Sequence, residues 1–206
     1  MFTRRSLLTS TFAASATLLS GAASVGRAGA AEIGDDGLHK QDWFLDSFLD
    51  LGDDHAEAAD EGKHFVVLFE QRSCPYCREL HEVNLKQETI RNFLTMHFNV
   101  LQLDLWGSRG VTDFDGSELE ERALARAWQV NFTPTIVFFP RDTAAVAGKT
   151  GRAAEIARMP GYFRPFHFLS MFEFIHEEAY VDQSFQRYLQ DKFAKLEAEG
   201  KKPEVW

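Results

Sequence analysis

The apolar positions of this chain fall into two rhythms, helical spacing and short unbroken runs. Trp43, Phe44, Phe48 and Leu51 recur at helical spacing and predict an amphipathic helix over residues 42–60. Phe65-Val66-Val67-Leu68-Phe69 is a continuous apolar run of strand length, the pattern of a central strand covered on both faces. A helix is expected from Cys74 through Arg78, Leu80 and Val83, and a second helical piece over 87–96. His97 to Leu105 reads as another buried strand through Phe98, Val100, Leu101, Leu103 and Leu105. Residues 106–116 read as a loop, after which Ser117 with Glu120 three places on predicts a capping box for a helix over 118–128. Thr135-Ile136-Val137-Phe138-Phe139 is a third strand, and residues 153–158, beyond the turn at Gly148 and Gly151, a fourth, antiparallel to it. Two helices, 165–179 and 182–198, close the pattern, the second with Phe185, Tyr188, Leu189, Phe193 and Leu196 on one face. This alternation predicts an α/β sheet with helices on both sides. Residues 31–41 are polar and contain glycine, which predicts a flexible leader, and residues 199–206 a C-terminal tail.

Composition adds an aromatic core: 19 of the 206 residues are Phe. The formal charge is −9, and every acidic residue lies beyond residue 31. Residues 1–30 have the layout of a cleavable signal: Arg4-Arg5, a mildly apolar run, then Ala28-Gly29-Ala30. The adjacent arginines point to the twin-arginine route and hence to the periplasm. A membrane anchor is the competing reading, but residues 6–25 hold eight Ser or Thr, too polar for a spanning helix. Cleavage would leave 19 basic residues against 31 acidic ones, a charge of −12 and a surface that repels nucleic-acid backbones. The mature protein is expected not to be embedded in a membrane.

Only two cysteines occur, in Cys74-Pro75-Tyr76-Cys77. A bridge across two residues closes too small a loop to constrain the unfolded chain much, so the pair is read as chemical. Cys74 stands where the strand gives way to a helix, facing unpaired backbone N–H groups that favour thiolate over thiol. That makes Cys74 the nucleophile of thiol–disulfide exchange and Cys77, a turn further in, the resolving thiol. Pro75 suits the first helical turn, where no N–H is needed. A lone Cys-x-x-Cys is also half of a zinc site, but zinc wants four ligands and no second pair exists. His81, one turn beyond Cys77, reads as a partly exposed helix residue, and no metal or organic cofactor is expected beside the Cys74–Cys77 dithiol.

With Phe132-Thr133-Pro134-Thr135 ahead of the third strand, the sequence resembles the thioredoxin superfamily. The resemblance implies a thioredoxin fold: a central mixed sheet of about four strands flanked by helices, over residues 42–198, with extra helices at both ends. It implies that Pro134 follows a cis peptide bond and faces the cysteines, and that the Thr133–Pro134 backbone, with Pro75 and Tyr76, grips the partner's chain. Val66 to His81, Phe132 to Phe139, Met159-Pro160-Gly161-Tyr162 and Phe166 to Leu169 are similar to the periplasmic thioredoxin-like proteins of bacterial sulfur oxidation (the SoxW and SoxS type). That likeness implies a reductase of partner-protein cysteines, such as those of a sulfur carrier, recharged by a membrane-bound thiol reductant. Two departures stand out. Cytoplasmic thioredoxins have Gly-Pro between the cysteines and a buried Asp six residues before the first; here these are Pro75-Tyr76 and Leu68. Glu70 is the nearest acid, and two readings of it stand: a proton-transfer group for Cys77, or a solvated carboxylate at the strand end.

Other patterns are set aside. Gly148-Lys149-Thr150 lacks the upstream glycine of a phosphate loop, and Asp113-Phe114-Asp115-Gly116 lacks the end ligands of a calcium loop. The acidic run Asp53, Asp54, Glu57, Asp60, Glu61 reads as a solvated helix face, and the aromatics from Tyr162 to Phe174 as core. Three functions compete: a periplasmic reductase, a disulfide-forming oxidase, and a Cu(I)-handling module using both thiolates.

Overall fold

The computed structural model describes residues 32–203; the signal segment expected over residues 1–30 lies outside them. Four strands form the central sheet in the order β4-β3-β7-β8: β3 (His64–Glu70), β4 (Phe98–Asp104), β7 (Thr135–Phe138) and β8 (Ala157–Pro160). β3 runs parallel to β4, and β7 is antiparallel to both β3 and β8. Strand β3 is buried along its whole length, as its unbroken apolar run requires. Its Phe65, Val67 and Phe69 face one core, with Leu51 and Ala58 of α1 (Leu51–Asp60), Leu124 and Ala125 of α4 (Glu121–Ala127) and Trp128. Val66 and Leu68 face the other core. That one is built by α2 (Pro75–Glu79) with its π-helical continuation Leu80–Asn84, α3 (Glu88–His97), α7 (Pro165–His176) and α8 (Phe185–Ala198). The expected thioredoxin-like α/β architecture is present.

Four elements differ from the sequence reading. The helix expected over 42–60 is only α1. Trp43 and Phe44 pack on the α2–α7 side of the sheet, whereas Leu45, Leu49 and Leu51 pack on the other, so no single helix could serve them all. The chain instead wraps the edge of β4, where Leu45 N–H donates to Val100 O at 2.9 Å. Leu49 is left-handed (φ 66°), and Asp50 then caps α1 by accepting from Gly52 N and Asp53 N.

Residues 32–40, expected as a flexible leader, form a two-stranded ribbon of β1 (Glu32–Ile33) and β2 (His39–Lys40), with Leu38 fully buried. The Ser117–Glu120 capping box does not form. Residues 118–120 are β6 (Glu118–Glu120), paired with β5 (Gly110–Thr112), and Ser117 Oγ bonds Asp115 instead. Helix α4 starts at Glu121, whose buried carboxylate accepts from Asp104 N at 2.9 Å and pairs with Arg109. The fourth strand lies later than expected, because Thr150 caps a short helix α6 (Gly151–Ala154); the intervening α5 spans Thr143–Val146. No helix among the described residues is long and apolar enough to cross a membrane.

Candidate redox site

Strand β3 ends at Glu70, and Ser73 takes a left-handed conformation (φ 56°) that turns the chain into α2. Cys74 is the helix N-cap and Pro75 occupies the first turn. The Cys74 and Cys77 side chains form a disulfide, with Cα atoms 5.2 Å apart. Cys77 N–H points at Cys74 Sγ from 3.1 Å. On reduction that N–H and the helix end stabilise a thiolate at Cys74. Both cysteines are buried, but Cys74 keeps 5% of its surface and Cys77 only 1%, so an incoming sulfur meets Cys74 first.

The loop before β7 closes over the same sulfur. Thr133 Oγ1 donates to Cys74 Sγ at 3.4 Å, and Thr133 O lies 3.6 Å from it. The Thr133–Pro134 peptide is cis. The loop is held from both sides: Thr135 Oγ1 donates to Phe132 O and Gly161 N–H to Pro134 O, each at 2.7 Å. Three exposed aromatic rings stand on α2 and on two loops: Tyr76 in α2 is 59% exposed, Trp106 after β4 68% and Phe132 before β7 65%. Trp106 Nε1 donates to Gln71 Oε1 at 2.7 Å, which ties its loop to the turn before Cys74.

Glu70 is not a solvated strand end; it is wholly buried. Its Oε2 lies 3.0 Å from His81 Nε2 and also accepts from Gln102 Nε2, while Oε1 has no partner among the described residues. His81, expected to be partly exposed, is 1% exposed because it turns inward to this carboxylate. Both its ring nitrogens are engaged, Nδ1 by Gln41 at 3.0 Å, which removes it as a metal ligand beside the cysteines. The described residues contain no cluster of three or more His, Cys, Asp or Glu able to hold a metal ion.

Reading the sequence alone misses His81, Gln102 and Gln41. Gln102 was legible as a polar residue set between Leu101 and Leu103 in an otherwise apolar stretch of strand. Nothing local marks Gln41, which reaches His81 from 40 residues away. Asp113, set aside as a calcium ligand, is buried and accepts from Trp128 Nε1 at 2.8 Å and Gly151 N–H at 2.9 Å. Asp54 leaves the expected solvated face: it is 7% exposed and accepts from Ser47 Oγ at 2.6 Å.

No curated protein matches the chain. Among solved structures it is similar to a thioredoxin-fold protein from Helicobacter pylori, at 22% identity and a TM-score of 0.51, over 65% of this chain and 86% of that one. It is also similar to a thioredoxin from Thermus thermophilus, at 25% identity and a TM-score of 0.45, over 60% and 82% of the two chains. A third similar structure is the oxidised C-terminal domain of DsbD from Neisseria meningitidis, at 13% identity and a TM-score of 0.39, over 60% and 90%. The thioredoxin-like domain family matches residues 51–176, more than half of the chain, and the protein therefore belongs to that family.

Proposed function

We propose that this protein is an exported thiol–disulfide oxidoreductase that works as a reductase of partner-protein disulfides in the periplasm. The observation that carries the reading is the placement of Cys74: at a helix N-cap, bridged to Cys77, and touched by the Thr133–cis-Pro134 loop. In the reducing direction the Cys74 thiolate attacks a partner disulfide, forming a mixed disulfide and releasing one partner thiolate. Cys77 then attacks Cys74 Sγ, which closes the Cys74–Cys77 bond and frees the second partner sulfur. The Thr133 and Pro134 backbone, Pro75 and Tyr76 hold the partner's chain against the nucleophile. Glu70 takes the Cys77 proton, consistent with its burial beneath the helix.

The dithiol needs no further cofactor. A membrane-bound thiol reductant would recharge it, and the likeness to sulfur-oxidation proteins makes a sulfur carrier the favoured partner. Arg4-Arg5 supports export by the twin-arginine route.

Cys74→Ser is expected to abolish reduction of a protein disulfide, whereas Cys77→Ser should accumulate a mixed disulfide visible by mass spectrometry. Faster alkylation of Cys77 than of Cys74 at neutral pH would reverse the assignment. Arg72 and Arg78 are offset near the motif by Glu79, an exposed neighbour, and by the Glu70 carboxylate beneath. The thiolate is therefore not extremely stabilised, and a potential of about −200 to −270 mV is expected. A value near about −120 mV, with efficient oxidation of an unfolded dithiol, would establish the oxidase instead.

A further inference from the structure

The ribbon of residues 32–40 and Gln41 lie outside the span matched by the thioredoxin-like family, yet they reach into the buried polar group beneath the cysteines. Lys40 Nζ contacts Gln102 Oε1 at 2.7 Å. An ammonium group only donates, so this contact fixes which way the Gln102 amide points. Its Nε2 must then spend its hydrogens on His39 O, at 2.7 Å, and on Glu70 Oε2. With its amide nitrogen toward His81 Nδ1, Gln41 donates there, and His81 therefore carries its proton on Nε2 and donates to Glu70 Oε2. Two donors converge on one carboxylate oxygen and fix the orientation of the Glu70 carboxylate. The other oxygen, Oε1, is buried and bare. An unpaired buried carboxylate oxygen is costly, and Oε1 has a lone pair open to receive a proton.

We infer that the N-terminal ribbon is a working part of the redox site: Lys40 and Gln41, through Gln102 and His81, act as positioning residues that hold the Glu70 carboxylate by Oε2 and leave Oε1 free for the Cys77 proton. The inference rests on the exchange reading above. Cys77 and His81 are four residues apart on the inward face of one helical segment, so the carboxylate held by His81 lies on the side toward which Cys77 points. In the resolving step the Cys77 S–H proton passes to Glu70 Oε1 and the Cys77 sulfur attacks Cys74 Sγ. The intramolecular disulfide forms, the bond from Cys74 to the partner breaks, and the partner leaves as a thiolate that solvent protonates. Glu70 afterwards returns its proton to solvent.

Other groups share this field. The His39 ring lies tilted at 5.4 Å from that of His81, and burial lowers its pKa from the usual histidine value. Asp36 pairs with Lys40, and Asp104 stands beside Glu70 on the adjoining strand. Arg109, on the loop after that strand, donates to Gln102 O, and Arg78 and Glu82 pair on the outer face of the helix. None of these donates to the Glu70 carboxylate, so the Lys40–Gln102 and Gln41–His81 arms are the two that orient it.

The test uses the full reduced chain and an aromatic disulfide, dithiobis(nitrobenzoate), whose thiolate release is followed by stopped-flow absorbance between pH 5 and 9. The first phase reports attack by Cys74 and the second reports resolution by Cys77. Glu70→Gln should slow the second phase by about 100-fold. Lys40→Met and Gln41→Leu should each slow it about tenfold, the effect of losing one hydrogen bond to a charged group, and should raise its pH midpoint. Lys40→Arg keeps a donor-only cation and should restore both rate and midpoint. Second-phase rates and midpoints of Lys40→Met and Gln41→Leu that superimpose on wild type would overturn the inference. So would equal slowing of both phases, which marks a general structural defect. Absence of a first phase in the wild-type chain would instead overturn the exchange reading itself.

Discussion

Asp54 and His64 occupy opposite positions in the acid–base balance of this molecule. Burial, reinforced by Asp50, Glu57 and Asp53, raises the Asp54 carboxyl to about 6 against the donor Ser47. Burial, with Arg141 and His176 adding to it, lowers His64 to about 4, and neither of its ring nitrogens has a hydrogen-bond partner among the described residues. The folded state binds the Asp54 proton more tightly than the unfolded chain, so this group's stabilisation is present at low pH and lost as pH rises from about 4 to 6. The folded state binds the His64 proton less tightly, so stability is lost as pH falls from about 6.5 to 4. The two slopes oppose each other in one window and largely cancel in the wild-type chain. Asp54→Asn should leave stability at pH 4 unchanged and raise it at pH 7 by up to about 3 kcal/mol. His64→Phe should stabilise more at pH 4.5 than at pH 7.5. Urea unfolding across pH 4–8 checks both; differences from wild type that do not vary with pH would refute the pairing.

At the scale of elements, the helix start marked by a sequence pattern does not form, and one without that pattern does. Ser117 with Glu120 matches a capping box, but pairing of Val111 with Leu119 draws those residues into a strand instead. Asp50 carries no such pattern, yet its carboxylate accepts from two N–H groups at the start of α1. Asp50→Ala is accordingly expected to cost about 1 kcal/mol. Ser117→Ala should stay within about 0.5 kcal/mol, as a surface change outside any cap. Equal losses in chemical denaturation would mean that the β5–β6 hairpin depends on Ser117 as α1 depends on its cap. The cysteine-bearing helix shows the opposite case. Cys74 and Pro75 were readable as N-cap and first turn because that geometry is local, set by residues adjacent in the chain.

Over the whole molecule, the second core is closed by α8, which lies beyond the family-matched span. No residue of α8 is fully buried, yet Phe185 and Tyr188 stand 5.6 and 5.3 Å from Phe174, and Phe193 4.6 Å from Phe166. Lys192 adds a hydrogen bond to Ser170 Oγ at 3.0 Å. A chain stopped after Gln183 should keep the sheet and the Cys74–Cys77 disulfide. It should lose roughly 3 kcal/mol or more of stability, from uncovering several half-buried aromatic rings. Binding of a hydrophobic dye, absent from the full chain, together with a lowered unfolding midpoint, would report this. An unchanged midpoint would show that α8 rests on the core without stabilising it.

The sequence by itself determined what depends on neighbours in the chain: the central strand from its unbroken apolar run, the helix start at Cys74, and the pairing of Cys74 with Cys77 in one turn. With the resemblance it also pointed to Thr133 and Pro134. The tertiary structure alone decided which face each apolar residue serves, and so divided residues 42–60 between the two sides of the sheet. It alone showed that Glu70, for which the sequence left a proton-transfer group and a solvated strand end both open, is a buried carboxylate, because His81, Gln102 and the ribbon arrive from 11 residues or more away in sequence. Local sequence fixes backbone dihedrals and helix ends, but burial and the polarity of a hydrogen-bond network are set by whatever the fold brings alongside, which no window along the chain contains.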